Sequence, residues 1–254
     1  MRLLLNLRVL VVVLLALLLV FSKYLPEIGR WLGAWIRKQT QGGDEIPAWE
    51  AALGRAMAFQ VEASLKIADN ERVRRVAERI AGQLGTAVVQ TKFVDKDVFN
   101  AFALPGGYVY VFRGLVEKMS SDDELAVVIG HEMAHVAQGH VRAQLLRSQG
   151  MRMLAIPLMN LPGWPGIVAR VLLAVGGPIA LLKYSRENEH EADRLSVRYL
   201  RGAGYDPWGA VKMLEKVGEA EKSQPGAMVE WLSSHPKTQE RIAVVMEEIT
   251  GVRS

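Results

Sequence analysis

Apolar and polar positions change period several times along this 254-residue chain. Val9–Phe21 is thirteen unbroken apolar residues, and the run reaches back to Leu3 with breaks at Asn6 and Arg8. That length lies between a signal-peptide core and a short membrane span. From Phe21 to about Ile46 the chain carries scattered basic residues and an amphipathic piece around Ile28–Ile36. Pro47 to Leu84 reads as two helices, the second starting near Asp69-Asn70. Asn100–Leu104 and Tyr108–Phe112 are short apolar, aromatic and β-branched runs around Pro105-Gly106-Gly107, which predicts a hairpin. Ser121-Asp122-Asp123-Glu124 has the form of a capping box. It opens a helix whose apolar positions are Leu125, Val127, Val128, Ile129, Met133, Val136 and Ala137. Met151–Leu182 is apolar again but is broken by Pro157, Pro162, Pro165 and Pro178 and carries Arg170. Asp206-Pro207 opens a further helix toward Val217. Pro236 to about Thr250 forms the last one, with Gly251 as its stop.

Within the capped apolar helix stands His131-Glu132-Met133-Ala134-His135. Residues four apart share a helical face, so both imidazoles can reach one ion. Glu132 sits one position round, where its carboxylate reaches a water on that ion without binding the ion itself. Such a water loses its proton near neutral pH, and a carboxylate beside it takes that proton up. Two histidines and a glutamate in an apolar helix are expensive to bury without a partner, which favours a metal over coincidence. A catalytic zinc needs three protein ligands and an open position. The chain has no cysteine, so the third ligand is His, Asp or Glu. Ser185 to Asp193 supplies the best candidates. Glu189 and Asp193 are four apart on one predicted face; one can bind the metal while the other holds a ligand imidazole from behind. Glu187 and Glu191 read as solvated charges, and His190 and His140 as ordinary polar residues lying off the ligand faces.

These residues resemble a known family. His131–His135 followed by Ser185–Asp193 is similar to the HExxH and SRxxExEAD pair of the HtpX/BepA zinc endopeptidases, metallopeptidase family 48. That group also holds the CAAX prenyl proteases and the mitochondrial Oma-type proteases. Asn100–Val111 resembles the family's strand pair before the active-site helix. Ser234-His235-Pro236 with Glu240-Arg241-Ile242 resembles its late SHPxxxxRI motif. The resemblance implies one zinc per chain bound by His131, His135 and Glu189, with Glu132 as general base and Asp193 orienting a ligand histidine. It also implies a place near the metal for His235, as a displaceable fourth ligand or an oxyanion helper, and for Arg241. Asn100, Ala101, Phe102 and Ala103 would be an edge strand that pairs with extended substrate.

The expected fold is α+β, mostly helical, a gluzincin-like domain with a small β-sheet or hairpin beside the HExxH helix and an N-terminal apolar anchor helix. Residues 1–22 are read as anchor or signal, 23–45 as a linker at the membrane surface, and 46–254 as the catalytic domain. Met151–Leu182 separates His135 from Glu189, and both must meet one metal. A single crossing there would put them on opposite sides of a bilayer, and two crossings of ~20 residues do not fit. A pair of short apolar helices over the site is expected, closest to BepA-like members without their tetratricopeptide repeats. Prenyl-protein processing is disfavoured, because the multi-span chamber it uses has no counterpart.

Net charge is +4, with a sequence pI near 9.3. The excess lies largely beside the N-terminal apolar run, which suits anionic lipid and not nucleic acid. The expectation is a bacterial inner-membrane protease facing the periplasm, acting on misfolded or misassembled proteins; secretion after signal cleavage is the other route. The competing class is an anchored chaperone-like binding module with a structural or self-plugged zinc.

Overall fold

The computed structural model describes residues 46–85, 89–147, 184–223 and 238–252, together with Trp231 and His235. The apolar runs Val9–Phe21 and Met151–Leu182, and the piece around Ile28–Ile36, lie outside the described residues. So does the expected anchor helix. Cα proximity divides the chain into residues 1–41 and 42–254, and every described residue belongs to the second unit.

The elements are α1 (Ala48–Ser64), β1 (Ile67–Ala68), α2 (Glu71–Ala81), β2 (Gln90–Val94), β3 (Ala101–Leu104), β4 (Tyr108–Phe112), α3 (Arg113–Lys118), α4 (Asp122–Ala137), α5 (Arg186–Gly202), α6 (Gly209–Ser223) and α7 (Thr238–Thr250). Among the described residues the unit is mostly helical, with one small mixed sheet ordered β1-β2-β4-β3. β3 and β4 pair antiparallel from Ala101 opposite Val111 to Leu104 opposite Tyr108. This is the hairpin expected around Pro105-Gly106-Gly107. Gly106 and Gly107 have φ of 78° and 87°, a region that residues with a Cβ rarely enter. β2 runs parallel to β4, with Gln90 opposite Tyr108.

All five residues of β4 are buried, because both faces of the sheet are covered. Val109 and Val111 join the main core with Val76 and Ile80 of α2 and Leu125, Ile129 and Met133 of α4. Tyr108, Tyr110 and Phe112 point the other way and pack with Ala58 of α1. A strand covered twice reads as a continuous apolar run, and Tyr108–Phe112 does. Each fully buried large side chain of this kind contributes about 1.5–3 kcal/mol.

Helix α1 rides directly on the hairpin turn. A Cβ on Gly54 would come within 2.0 Å of the Pro105 carbonyl oxygen. Glu50, also on α1, is buried and pairs with Arg142 Nη1 at 2.9 Å, and its other oxygen accepts from the Gly106 N–H at 3.4 Å.

Helix α4 is the centre of the unit. Ser121 Oγ accepts from Glu124 N at 3.2 Å, and Glu124 reaches back to accept from Ser120 N at 2.9 Å. The two bonds satisfy donors that a helix start leaves open. From Glu124 to Val136 every residue is buried, against α2, α5, α6, β3 and β4. Where α4 meets α5, Gly130 lies opposite Ser196: a Cβ built on the glycine would stand 3.6 Å from the Ser196 Cα and Cβ. Helix α5 is capped by Ser185 Oγ, which accepts from Asn188 N at 3.2 Å.

Candidate metal centre

His131 and His135 lie one turn apart on α4, 1% and 0% exposed, with their Nε2 atoms 3.0 Å from each other. The first turn of α5 brings Glu189 across to them. Its Oε2 is 3.5 Å from His131 Nε2 and its Oε1 is 3.4 Å from His135 Nε2. His235 closes the group: its Nδ1 lies 3.2 Å from His131 Nε2 and 3.0 Å from Glu189 Oε1. One donor atom from each of these four buried side chains lies within 4.8 Å of the other three. A tetrahedral zinc with bonds of about 2.0–2.1 Å has donor-to-donor edges of ~3.3 Å. Three imidazole nitrogens and a carboxylate oxygen at this spacing fit such an ion.

Glu132 is 0% exposed, and its carboxylate faces the cluster. Its Oε1 stands 3.2 Å from His235 Nε2. A buried carboxylate is costly unless it is paired; this one has the His235 imidazole beside it and adjoins the four-donor cluster. Asp193, one turn beyond Glu189, places Oδ1 3.0 Å from His131 Nδ1. Arg241 of α7 forks onto the same carboxylate and sets Nη1 3.3 Å from Glu189 Oε2. Its guanidinium also lies over the Trp231 ring, 5.2 Å from the centroid.

The charges follow from these neighbours. Burial alone would raise the Asp193 carboxyl, but Arg241, with His131, holds it down to about 2. Burial likewise opposes ionisation of Glu189, and His235 and Arg241 reverse that and hold it well below the carboxylate range. Burial pushes His135 down to about 4. His235 moves the other way: although buried, it lies between Glu189 and Glu132, which push it up to about 10.

The structure thus brings together His131, Glu132, His135, Glu189, Asp193, His235 and Arg241. The sequence reading of a helix start at Pro236 falls on residues 236–237, which lie outside the described residues. The His235 N–H donates to the Trp231 carbonyl at 2.9 Å, and α7 begins at Thr238. Among the described residues Ala101–Leu104 is an outer strand of the sheet; it packs against α4, and the Asn100 carbonyl accepts from Phe112 N at 3.1 Å. Asn100 to Ala103 do not enter the four-donor cluster.

Sequence reasoning missed two neighbours. Tyr184 stacks on the His135 ring, with centroids 3.8 Å apart and planes 18° apart. His140, read as an ordinary polar residue, is buried and places its Nδ1 3.0 Å from His135 Nδ1. The available signal was Gly139, which has φ of 68° and turns the chain just after α4.

A model of the family described as Peptidase family M48 matches residues 68–249, which include every residue of this cluster. The mitochondrial metalloendopeptidase OMA1 of Arabidopsis thaliana is 34% identical over 160 residues, 61% of this chain and 31% of that protein. The metalloprotease LoiP of Escherichia coli K12 is 31% identical over 183 residues, 71% of each. The β-barrel assembly-enhancing protease of Yersinia pestis is 27% identical over 242 residues, 86% of this chain and 46% of that one. The chain therefore spans most of LoiP but less than half of the other two.

Proposed function

The chain belongs to peptidase family M48 and is on that ground a metalloendopeptidase, and we propose that it hydrolyses peptide bonds in protein substrates with one zinc held by His131, His135 and Glu189. The observation that carries this reading is the convergence of these side chains, from two helices and more than fifty residues apart in sequence, at tetrahedral edge lengths.

Zinc bound there supplies Lewis acidity, which activates a water and polarises the scissile carbonyl. Glu132 takes the proton of the attacking water and delivers it to the leaving amine. Asp193 accepts the Nδ1 proton of His131, which leaves Nε2 bare for the metal. Arg241 keeps Asp193 and Glu189 ionised in a buried site where each alone would resist charge. β3, as an outer strand, is the edge against which an extended substrate pairs.

For the whole protein we propose that residues 46–254 form the protease domain, 1–22 an anchor or signal and 23–45 a linker. The position is a bacterial inner membrane with the protease facing the periplasm, where it removes misassembled envelope proteins. The apolar run at Val9–Phe21 with its basic flanks supports this, as does the name of the Yersinia relative. Among the described residues no helix is long and apolar enough to cross a membrane.

A second reading rests on His235. Its Nδ1 supplies a fourth donor and its Nε2 faces Glu132, and four protein donors are the pattern of a structural zinc. On that reading the chain is an anchored binding module. Casein hydrolysis and bound zinc, measured on the purified wild type and on Glu132→Gln, separate the two. The protease reading expects zinc in both and a loss of at least about a hundredfold in rate for the variant. A wild type without zinc, or a variant as active as the wild type, overturns it.

A further inference from the structure

His140 has no part in the hydrolysis described above, yet it is buried 3.0 Å from one of the proposed zinc ligands. Helix α4 stops at Ala137, Gly139 turns the chain with φ of 68°, and the helical run 140–147 begins at His140. The turn swings the His140 ring back against the outer edge of His135. On its far side, His140 Nε2 lies 3.2 Å from Oε2 of Glu191 on α5. The Glu191 side chain is 53% exposed.

Proton placement in this row has one consistent solution. His135 Nε2 faces Glu189 and His131, so a metal there requires Nε2 bare, and the ring's one proton sits on Nδ1. Two N–H groups cannot face each other at 3.0 Å, so His140 Nδ1 accepts. The proton of His140 then lies on Nε2 and donates to Glu191, whose carboxylate only accepts. Each bond fixes the next. Tyr184, stacked on the face of His135, sets the plane of the ring that His140 grips by its edge.

We infer that His140, backed by Glu191, is a positioning residue for the metal: it fixes the tautomer and orientation of His135 as Asp193 does for His131. The inference rests on the zinc reading proposed above. It assigns α5 three tasks within five residues: Glu189 faces the metal, Asp193 backs His131, and Glu191 reaches round to back His135 through His140. The acceptors differ in kind. His131 is held by a buried carboxylate locked by Arg241, whereas His135 is held by a neutral ring whose own anchor stands at the surface. The second arm is accessible to surface substitution without disturbing the core.

The test is the apparent zinc affinity of the full chain, measured by competition with a chelator, for the wild type, His140→Ala, Glu191→Ala and the double variant. His140→Ala is expected to bind zinc about 10- to 100-fold more weakly. Glu191→Ala, which removes the acceptor, should weaken binding by less. The double variant should match His140→Ala, because both changes break one chain of bonds. Added imidazole should restore part of the affinity of His140→Ala, which a merely structural defect would not allow. Melting in chelator reports folding separately. A folded His140→Ala with wild-type affinity overturns the inference. If that variant does not fold, Glu191→Ala decides, and wild-type affinity there overturns it equally. A wild type that binds no zinc removes the zinc reading and this inference together, whereas a zinc-binding wild type with indifferent variants removes this inference alone.

Discussion

Arg241 grips Asp193 by both oxygens: Nε donates to Oδ2 at 2.8 Å and Nη2 to Oδ1 at 2.7 Å, with the arginine 1% exposed. The planar fork of a guanidinium matches a carboxylate in a way that an ammonium cannot. Removing one partner strands the other charge in the interior. Arg241→Met is expected to destabilise the protein by about 3–5 kcal/mol. Arg241→Lys should keep the charge but lose the fork, and fall between that variant and the wild type. Chemical denaturation in the presence of chelator checks this order, and equal midpoints for all three proteins would show that the pair contributes nothing.

His235 stands between the proposed metal donors and the proposed base, with contacts of 3.0 Å to Glu189 and 3.2 Å to Glu132. If it occupies the position that water and substrate need, His235→Ala should cleave casein several-fold faster than wild type while keeping one zinc per chain. A variant that loses both zinc and activity would make His235 an obligatory ligand. That outcome favours the structural-zinc reading.

Acid should weaken the chelated protein before its carboxylates titrate. Burial pushes His135 and His140 down to about 4, against about 6.5 in the unfolded chain. Between these values the unfolded state binds protons that the folded state refuses, so stability falls as pH drops from about 6.5 toward 4. His131 and His235 are raised, so they are protonated in both states across most of that window. Glu132, Glu189 and Asp193 are depressed and stay ionised through it in the fold. The loss should amount to a few kcal/mol by pH 4. Denaturation midpoints at pH 7.5, 6, 5 and 4.5 measure it, and His140→Ala should show a shallower slope.

Gly54 is held to hydrogen by the hairpin. A methyl group there would stand 2.0 Å from the Pro105 carbonyl oxygen, a backbone atom that a rotamer change cannot move aside. Gly54→Ala is expected to cost about 1–3 kcal/mol and to displace the turn between β3 and β4. Loss of melting temperature at unchanged zinc affinity would separate this strut from the metal centre.

What could be read from the chain in advance was local. The four-residue spacing of His131 and His135, the Ser121 cap and the two runs around Pro105-Gly106-Gly107 each depend on neighbours within a few positions, and each forms where expected. Asn70 caps α2 through Val73 N, close to the start read at Asp69-Asn70. β2 was not foreseen, because its partner β4 lies parallel and across the chain, and Gln90–Val94 alone carries no strong alternation. His140 was misjudged for a different reason. It was placed by extending the α4 helix past Ala137, on which it would fall off the ligand face. The left-handed Gly139 ends that helix, so the angle no longer applies. Glu191 was read as a solvated charge; its side chain is largely exposed, yet it also anchors His140.

The small pair Gly130 and Ser196 has a consequence for tuning. An alanine at 130 would meet Ser196 at ordinary van der Waals separation, so it should be accommodated without shift. A bulkier side chain is expected to push the two helices apart and to carry Glu189, the proposed third ligand, away from the imidazoles. Position 130 is therefore a calibration screw for metal grip: a graded series from alanine through serine to valine should dial zinc retention downward while the chemical groups themselves stay untouched.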